Sequence, residues 1–202
     1  MAAPHVMDTA SGVQLDLDNP LPKDINLGDI AAALSKVCRF GAQAKQFYSV
    51  ALHAVMVRRI VVEEFGRPDL ALYALHHDSH EAYVCDIPRP LKLKLKDEGN
   101  AVYDRVCDAL DLAIAMKLEF EIPAKGTADQ QLVKLADDKA LITEARLLIH
   151  DGGAGILAQL GANDRRVEDL DPIGQLDEPV GPGEAEVLFR QAHSDSGGPT
   201  GR

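Results

Sequence analysis

The sequence contains no tryptophan and few other aromatic residues, with five Phe and four Tyr in 202 residues. A hydrophobic core must therefore be built mainly from Ala, Leu, Ile and Val. A chain of this length can bury such a core without disulfides or a structural metal. Packed helices are the arrangement that this composition favours.

Cysteines and long apolar runs are also scarce. The three cysteines, Cys38, Cys85 and Cys107, are widely spaced and form no CxxC pair, which argues against a disulfide framework and a zinc ribbon. The N-terminus has no basic segment followed by an apolar stretch, and no uninterrupted run reaches about 18 apolar residues. We therefore expect a cytoplasmic protein that neither spans a membrane nor carries an export signal.

Basic residues are fewer than acidic ones: 21 Lys and Arg against 32 Asp and Glu give a formal net charge of −11. Such a surface repels duplex nucleic acid and anionic membranes, so we expect neither as a partner. An acidic protein can still hold a small nucleotide where a metal and a few basic side chains reverse the local field. A small-molecule ligand is the expected partner.

The chain divides into four segments by composition and periodicity. Residues 1–24 contain Asp and Pro without periodicity and predict an extended arm with turns. Residues 25–160 show apolar residues at helical spacing and predict an all-α core, for a total of about six or seven helices. Residues 161–193 predict an irregular segment with a short final helix over 184–193, and the Gly-, Ser- and Pro-rich residues 194–202 predict a disordered tail.

Helix boundaries follow from glycine and proline positions. Predicted helices cover residues 25–40, 47–65, 69–83, 101–118 and 127–150. Pro88 and Pro90 predict a loop over residues 86–90. The alternation of Leu and Lys over residues 91–96 fits a short strand or a helical turn, and the pattern alone does not choose between them.

Polar residues interrupt three of these helices at places where apolar side chains are expected. His53 lies on the apolar stripe of the second helix, Asp137 interrupts the apolar face of the 127–150 helix, and His77, Asp78 and Glu81 share a third helix. A core histidine bonded to a carbonyl and an ion-paired aspartate are the ordinary explanations for the isolated residues. Together, however, two histidines and two aspartates would leave open positions on an octahedral metal for a water and a phosphate oxygen.

The order His, then His-Asp, then Asp, with its flanking residues, resembles the HD-domain phosphohydrolase superfamily over about residues 8–150. The matching blocks are 39–41 with 47–53, 77–92 and 135–146. The resemblance implies an HD-domain helical bundle. It also implies one divalent cation, Zn, Co, Mn, Fe or Mg, with the ligands His53, His77, Asp78 and Asp137.

The resemblance also implies roles for five further residues. Glu81 would be the catalytic carboxylate, which orients or deprotonates the attacking water or protonates the leaving oxygen. Asp86 would be a second catalytic acid that positions substrate or water. Arg39 and Lys92 would bind phosphate oxygens, and Phe40 would lie near the base of the nucleotide.

The nearest members of the superfamily look like phage dATP triphosphohydrolases and bacterial 5′-deoxynucleotidases. We expect a dATP-type triphosphohydrolase that releases deoxynucleoside and triphosphate. The alternatives are a 5′-deoxynucleotidase acting on dNMPs and a non-catalytic nucleotide-binding HD domain, while the negative charge disfavours a nuclease. We expect a homo-oligomer, because self-association is common in this family and a small helical domain is expected to expose apolar faces. Leu52 departs from the pattern, because relatives commonly carry Glu or Gln directly before the first ligand histidine.

Overall fold

The computed structural model describes residues 5–160 and 180–199, and the predicted all-α class is confirmed. The N-terminal arm carries a small antiparallel hairpin of β1 (Val6–Asp8) and β2 (Gln14–Asp16), in which Met7 pairs with Leu15. The Leu15 side chain is fully buried among the helices. The hairpin is therefore attached to the core by an apolar contact.

Helices account for most of the described residues, and several short ones add to the six or seven that we predicted. The α-helices are α1 (Leu27–Leu34), α2 (Val50–Arg59), α3 (Ala71–His76), α4 (Glu81–Val84), α5 (Arg89–Asp97), α6 (Val102–Leu118), α7 (Ala128–Leu148), α8 (Ala154–Gln159) and α9 (Pro182–Asp195). Short 3-10 turns occupy Pro22–Asp24, Arg39–Ala42, Pro68–Leu70 and His150–Gly153. None of the described helices is both long and apolar enough to cross a bilayer.

Helix α2 lies at the centre of the fold, where it packs against α3, α7 and α9. The Ser49 side chain caps its first turn by accepting a hydrogen bond from the Leu52 amide, which satisfies a backbone donor that would otherwise be free. The predicted apolar stripe is buried along its whole length. His53 lies in the middle of this buried face, so its polar ring atoms require partners inside the protein.

The single helix predicted over residues 69–83 is wrong, because α3 ends at His76 and α4 begins at Glu81. Between them the Ser79 amide donates to the His76 carbonyl and the Glu81 amide to the Asp78 carbonyl. These bonds span three residues instead of four and tighten the chain into a turn. The Ser79 hydroxyl also lies 2.8 Å from His76 Nδ1, which holds the turn against the end of α3.

The Leu and Lys alternation belongs to a helix, α5, which settles the choice that the pattern left open. The predicted loop ends at Pro88 instead of Pro90, because Pro90 lies in the first turn of α5. Proline is tolerated there since the first turn of a helix needs no backbone N–H donors. Leu91 and Leu93 remain about half exposed on this surface helix.

The last helix is longer at both ends than the predicted 184–193 segment. Ala185 and Phe189 of α9 are fully buried against α1 and α2. The tail predicted to be disordered does not begin at Ser194, because α9 continues to Asp195 and the chain then turns until Pro199 accepts a hydrogen bond from His193 Nε2. The predicted irregular segment over 161–179 and the final residues 200–202 lie outside the described residues.

Candidate metal centre and its cavity

Three separate parts of the chain bring the four predicted metal ligands together. His53 comes from α2, His77 and Asp78 from the turn between α3 and α4, and Asp137 from α7. The Nε2 atom of His53 lies 3.2 Å from Asp137 Oδ1 and 3.8 Å from Asp78 Oδ2. The Nε2 atom of His77 lies 3.2 Å from Asp78 Oδ2 and 3.9 Å from Asp137 Oδ1.

The two imidazoles share one hydrogen-bonding arrangement. His53 Nδ1 donates to Glu144 Oε1 over 2.7 Å, and His77 Nδ1 donates to the Ala74 carbonyl over 2.8 Å. Both Nε2 atoms are buried and make no hydrogen bond within the described ranges 5–160 and 180–199. A histidine that donates through Nδ1 keeps the Nε2 lone pair for a metal, so this pair of orphaned nitrogens beside two carboxylates fits a divalent cation.

The charges of the protein groups around the cluster also favour a cation. Burial and the Arg39 guanidinium oppose a proton on His53, but Glu144 and Asp137 outweigh them and raise the pKa of His53 to about 9. Burial also opposes ionisation of Asp78, yet the adjacent His77 holds the pKa of that carboxyl well below its usual range. The cluster therefore attracts positive charge, which a metal cation can supply in place of protons.

Glu81 lies next to this cluster in an almost closed environment, with 2% of its surface exposed. Its Oε1 atom is 3.3 Å from Lys92 Nζ, while its buried Oε2 atom has no hydrogen-bond partner in the part of the chain that the structure describes. Burial, aided by the charges of Asp78 and Asp86, raises the pKa of Glu81 to about 7. A carboxyl with this pKa can take up or give a proton at neutral pH.

A cavity of about 430 Å³ opens over the cluster, a size typical of sites for small molecules. All the predicted catalytic and substrate-binding residues line it, together with two of the predicted ligands: Arg39, Phe40, Asp78, Glu81, Asp86, Lys92 and Asp137. His53 and His77 are not part of the lining. The rest of the wall is mainly apolar, with two carboxamides and two basic side chains, and includes Gln43, Ile87, Pro88, Arg89, Lys134, Leu141, Ile156 and Gln159.

Two residues of this site were missed at the sequence level. Lys134 lines the cavity and its Nζ donates to Asp137 Oδ2 over 2.7 Å, so it holds the oxygen of Asp137 that faces away from His53. Glu144 is fully buried and binds both Arg39 and His53. Lys134 lies three residues before Asp137 and Glu144 seven residues after it, so all three share one face of α7. This spacing could have indicated both residues from the sequence.

The flanking histidines are buried and bonded to protein groups. His80 Nδ1 lies 2.9 Å from Asp111 Oδ1, and His76 Nε2 lies 2.9 Å from His193 Nδ1 on α9. Asp78, His80 and Glu81 together form a second group whose potential ligand atoms lie within 4.8 Å of one another. His53, His77 and Asp137 form the other such group.

Fold and site together define the class of protein: an all-helical domain with a buried His and Asp cluster that could hold a metal ion beneath a cavity for a small molecule. The chain is 40% identical over 146 residues to the uncharacterized protein YfdR of Escherichia coli (strain K12), covering 72% of this chain and 74% of YfdR. It is also 32% identical over 142 residues to the uncharacterized protein RCAP_rcc00048 of Rhodobacter capsulatus, covering 67% and 68% of the two chains. The chain belongs to the family of these proteins, and no family model matches it.

Proposed function

We propose that this protein is a divalent-metal-dependent nucleotide phosphohydrolase of the HD-domain superfamily, and that it acts as a deoxynucleoside triphosphate triphosphohydrolase. The observation that carries the proposal is the pair of buried Nε2 atoms of His53 and His77, which face Asp78 and Asp137 below the cavity. Leaving two imidazole nitrogens buried and unpaired is costly unless a ligand occupies them. A single cation satisfies both nitrogens and both carboxylates.

The side chains around the cavity supply the other parts of a phosphate-ester hydrolysis. A cation bound by the four ligands would polarise a phosphoryl oxygen and lower the pKa of a bound water. Glu81 would exchange a proton with that water or with the leaving oxygen, since its buried carboxyl has a pKa near neutrality. Lys92 and Arg39 border the cavity and would bind phosphoryl oxygens, while the apolar wall would cover the nucleoside.

A second candidate, a 5′-deoxynucleotidase that acts on dNMPs, is favoured by the charge balance of the cavity. Three of the four basic side chains of its wall are paired with acids among the described residues: Arg39 with Glu144, Lys92 with Glu81, and Lys134 with Asp137 and Asp138. Arg89 is the fourth. A triphosphate brings more negative charge than a monophosphate and requires more of these cations to be released. The charge balance therefore fits the smaller substrate more easily.

The deciding experiment incubates the purified protein with each dNTP and each dNMP in Mn²⁺, Co²⁺, Zn²⁺ or Mg²⁺ and identifies the phosphate products. Triphosphate released from a dNTP supports the triphosphohydrolase, and inorganic phosphate released from a dNMP supports the nucleotidase. Asp137→Asn is the control, because it keeps the shape of the side chain and weakens a predicted metal ligand. Absence of turnover with every substrate and metal would refute the proposal and favour a nucleotide-binding domain without activity.

A further inference from the structure

Glu144 is a completely buried acid in α7 that holds two functional side chains at once. Its Oε2 atom accepts a hydrogen bond from Arg39 Nε over 2.9 Å, and its Oε1 atom accepts one from His53 Nδ1 over 2.7 Å. A buried carboxylate is stable only when its oxygens find such donors. Arg39 is separated from Glu144 by 105 positions and His53 by 91, so the two contacts depend on tertiary packing.

The chemistry of a carboxylate determines which atoms donate in the two hydrogen bonds to Glu144. An ionised carboxylate only accepts hydrogen bonds, so the His53 ring beside Glu144, in the neutral form that can bind a metal, must carry its proton on Nδ1. The Nε2 lone pair then faces Asp137 Oδ1 at 3.2 Å. On the other side, the bond to Arg39 Nε fixes the guanidinium so that Nη1 lies 3.9 Å from Asp78 Oδ2, at the wall of the cavity.

We propose that Glu144 is a positioning residue that sets the orientation of a cation ligand, His53, and of a phosphate-binding residue, Arg39, through one carboxylate. The proposal rests on the proposed function for the role of Arg39 toward phosphate. The claim that Glu144 orients His53 concerns only how the chain binds a metal. Glu144 lines no part of the cavity wall described above and would act only through its two partners.

The substitution Glu144→Gln keeps the size of the side chain but allows only one of the two hydrogen bonds to remain. A carboxamide has one acceptor oxygen and an NH₂ group that can only donate. If the oxygen keeps Arg39, the NH₂ group faces His53 Nδ1 and favours the tautomer with its proton on Nε2, where the cation should bind. If the oxygen keeps His53, the NH₂ group faces Arg39 Nε and displaces the guanidinium.

Co²⁺ is the probe for the experiment, because its affinity is measurable by calorimetry and its visible absorption reports the ligand set. We expect Glu144→Gln to bind Co²⁺ about 10-fold to 100-fold more weakly than the wild type, as is usual when a metal-bound histidine loses its hydrogen-bond partner. The absorption spectrum should change as well. In steady-state assays KM for the nucleotide should rise if the NH₂ group turns toward Arg39, and kcat should fall if it turns toward His53.

Two control variants separate positioning from general loss of stability. Glu64→Gln removes a carboxylate that pairs with Lys139 of α7, the helix that carries Glu144. Glu64 lies outside the cavity wall, so the Co²⁺ affinity of this variant should equal that of the wild type. Arg39→Gln should keep the Co²⁺ spectrum and raise KM. Should Glu144→Gln fail to fold by circular dichroism, Glu144→Asp takes its place, because it keeps the charge and withdraws the oxygens from both partners.

The outcomes distinguish this inference from the proposed function. Wild-type Co²⁺ affinity, Co²⁺ spectrum and KM in the Glu144 variant would overturn the positioning role and leave the hydrolase proposal standing. Weakened Co²⁺ binding by the variant, in a protein that hydrolyses no nucleotide, would support the positioning of His53 and refute the hydrolase. A wild-type protein that binds no Co²⁺ would overturn both.

Discussion

His77 and Asp78 are neighbours in sequence, yet their side chains enter the same cluster. In a regular helix, adjacent residues diverge by about 100° around the axis. The turn after His76, with its three-residue hydrogen bonds, does not reduce this divergence. The two side chains nevertheless reach a common point, where His77 Nε2 lies 3.2 Å from Asp78 Oδ2. Two adjacent residues can therefore serve one site through the reach of their side chains.

The structure brings together polar side chains that interrupt apolar patterns in the sequence. His53 and Asp137 could be recognised because a polar group in a buried stripe needs a partner, and the structure places the two 3.2 Å apart. Glu144 also interrupts such a pattern, but its two partners could not be predicted. They depend on the distance between α2, α7 and the Arg39 turn, which no local pattern encodes.

The substitution Glu81→Gln should separate metal binding from turnover. The amide keeps the size of the side chain but cannot exchange a proton at neutral pH, so the rate should fall by about 10² to 10⁴. Metal content should stay the same, because the four proposed ligands are intact. Metal analysis and initial rates, measured on the same preparations, provide the two readouts.

Glu98→Gln is the matched control for this change, since Glu98 pairs with Lys94 on the exposed face of α5 and should leave both readouts unaltered. Full activity in Glu81→Gln would show that another group handles the proton.

At the scale of elements, the connection between α7 and α8 forms one side of the site. Asp151, Gly152 and Gly153 all adopt positive φ angles, and this sharp turn brings Ile156 and Gln159 of α8 to the cavity. The Gly152–Gly153 pair did predict the end of the preceding helix. No sequence pattern predicted α8, because a helix of six residues without a side-chain cap leaves almost no periodic or capping pattern.

Gly153→Ala tests this connection. A Cβ atom at Gly153 would lie 2.7 Å from the Cβ of Ala145 and 3.0 Å from the Ala145 carbonyl oxygen, at a φ of +70°. Strain and overpacking together should lower the free energy of unfolding by about 2–4 kcal/mol. Urea denaturation measures this loss, and KM should rise because α8 is displaced from the cavity.

The matched control is Gly155→Ala, where a Cβ atom meets nothing within 4 Å and the residue lies in a helix. Its stability should equal or exceed that of the wild type, since Ala favours helix more than Gly does. Equal stability of both variants would contradict the packing described for α7 and α8.

For the molecule as a whole, the composition and apolar periodicity predicted the all-α class, and the structure confirms it. The order in which the helices pack could not be predicted, because their apolar faces are similar and many pairings would bury them equally well. The contact of α9 with α1 and α2 is an example. It joins the C-terminal part of the chain to the core.

A chain of neutral histidines links α9 to α3 and should make the protein sensitive to acid. His193 donates from Nε2 to Pro199 and accepts at Nδ1 from His76 Nε2. Burial lowers the pKa of His193, and burial together with His193 and His77 holds the pKa of His76 well below its usual range. Protonation of His193 at Nδ1 would remove the acceptor of the His76 Nε2–H group and break this link.

The sign of the pH dependence follows from these lowered pKa values. Below the ordinary histidine pKa of about 6.5 the unfolded chain binds protons that the folded protein does not, so stability falls as pH drops. His193→Gln keeps an acceptor for His76 but cannot take up a proton. Metal-free urea denaturation from pH 7.5 to 5 should therefore show the variant losing less stability than the wild type, and parallel losses would contradict this account.

The position of a bound cation tests the central claim most directly. Crystals soaked in Zn²⁺ and measured at the zinc absorption edge should give one anomalous peak at the cluster in each chain. The peak should lie about 2.0–2.2 Å from His53 Nε2, His77 Nε2 and the nearest oxygens of Asp78 and Asp137. A peak held by other side chains, or no peak while zinc binds elsewhere on the protein, would contradict the account.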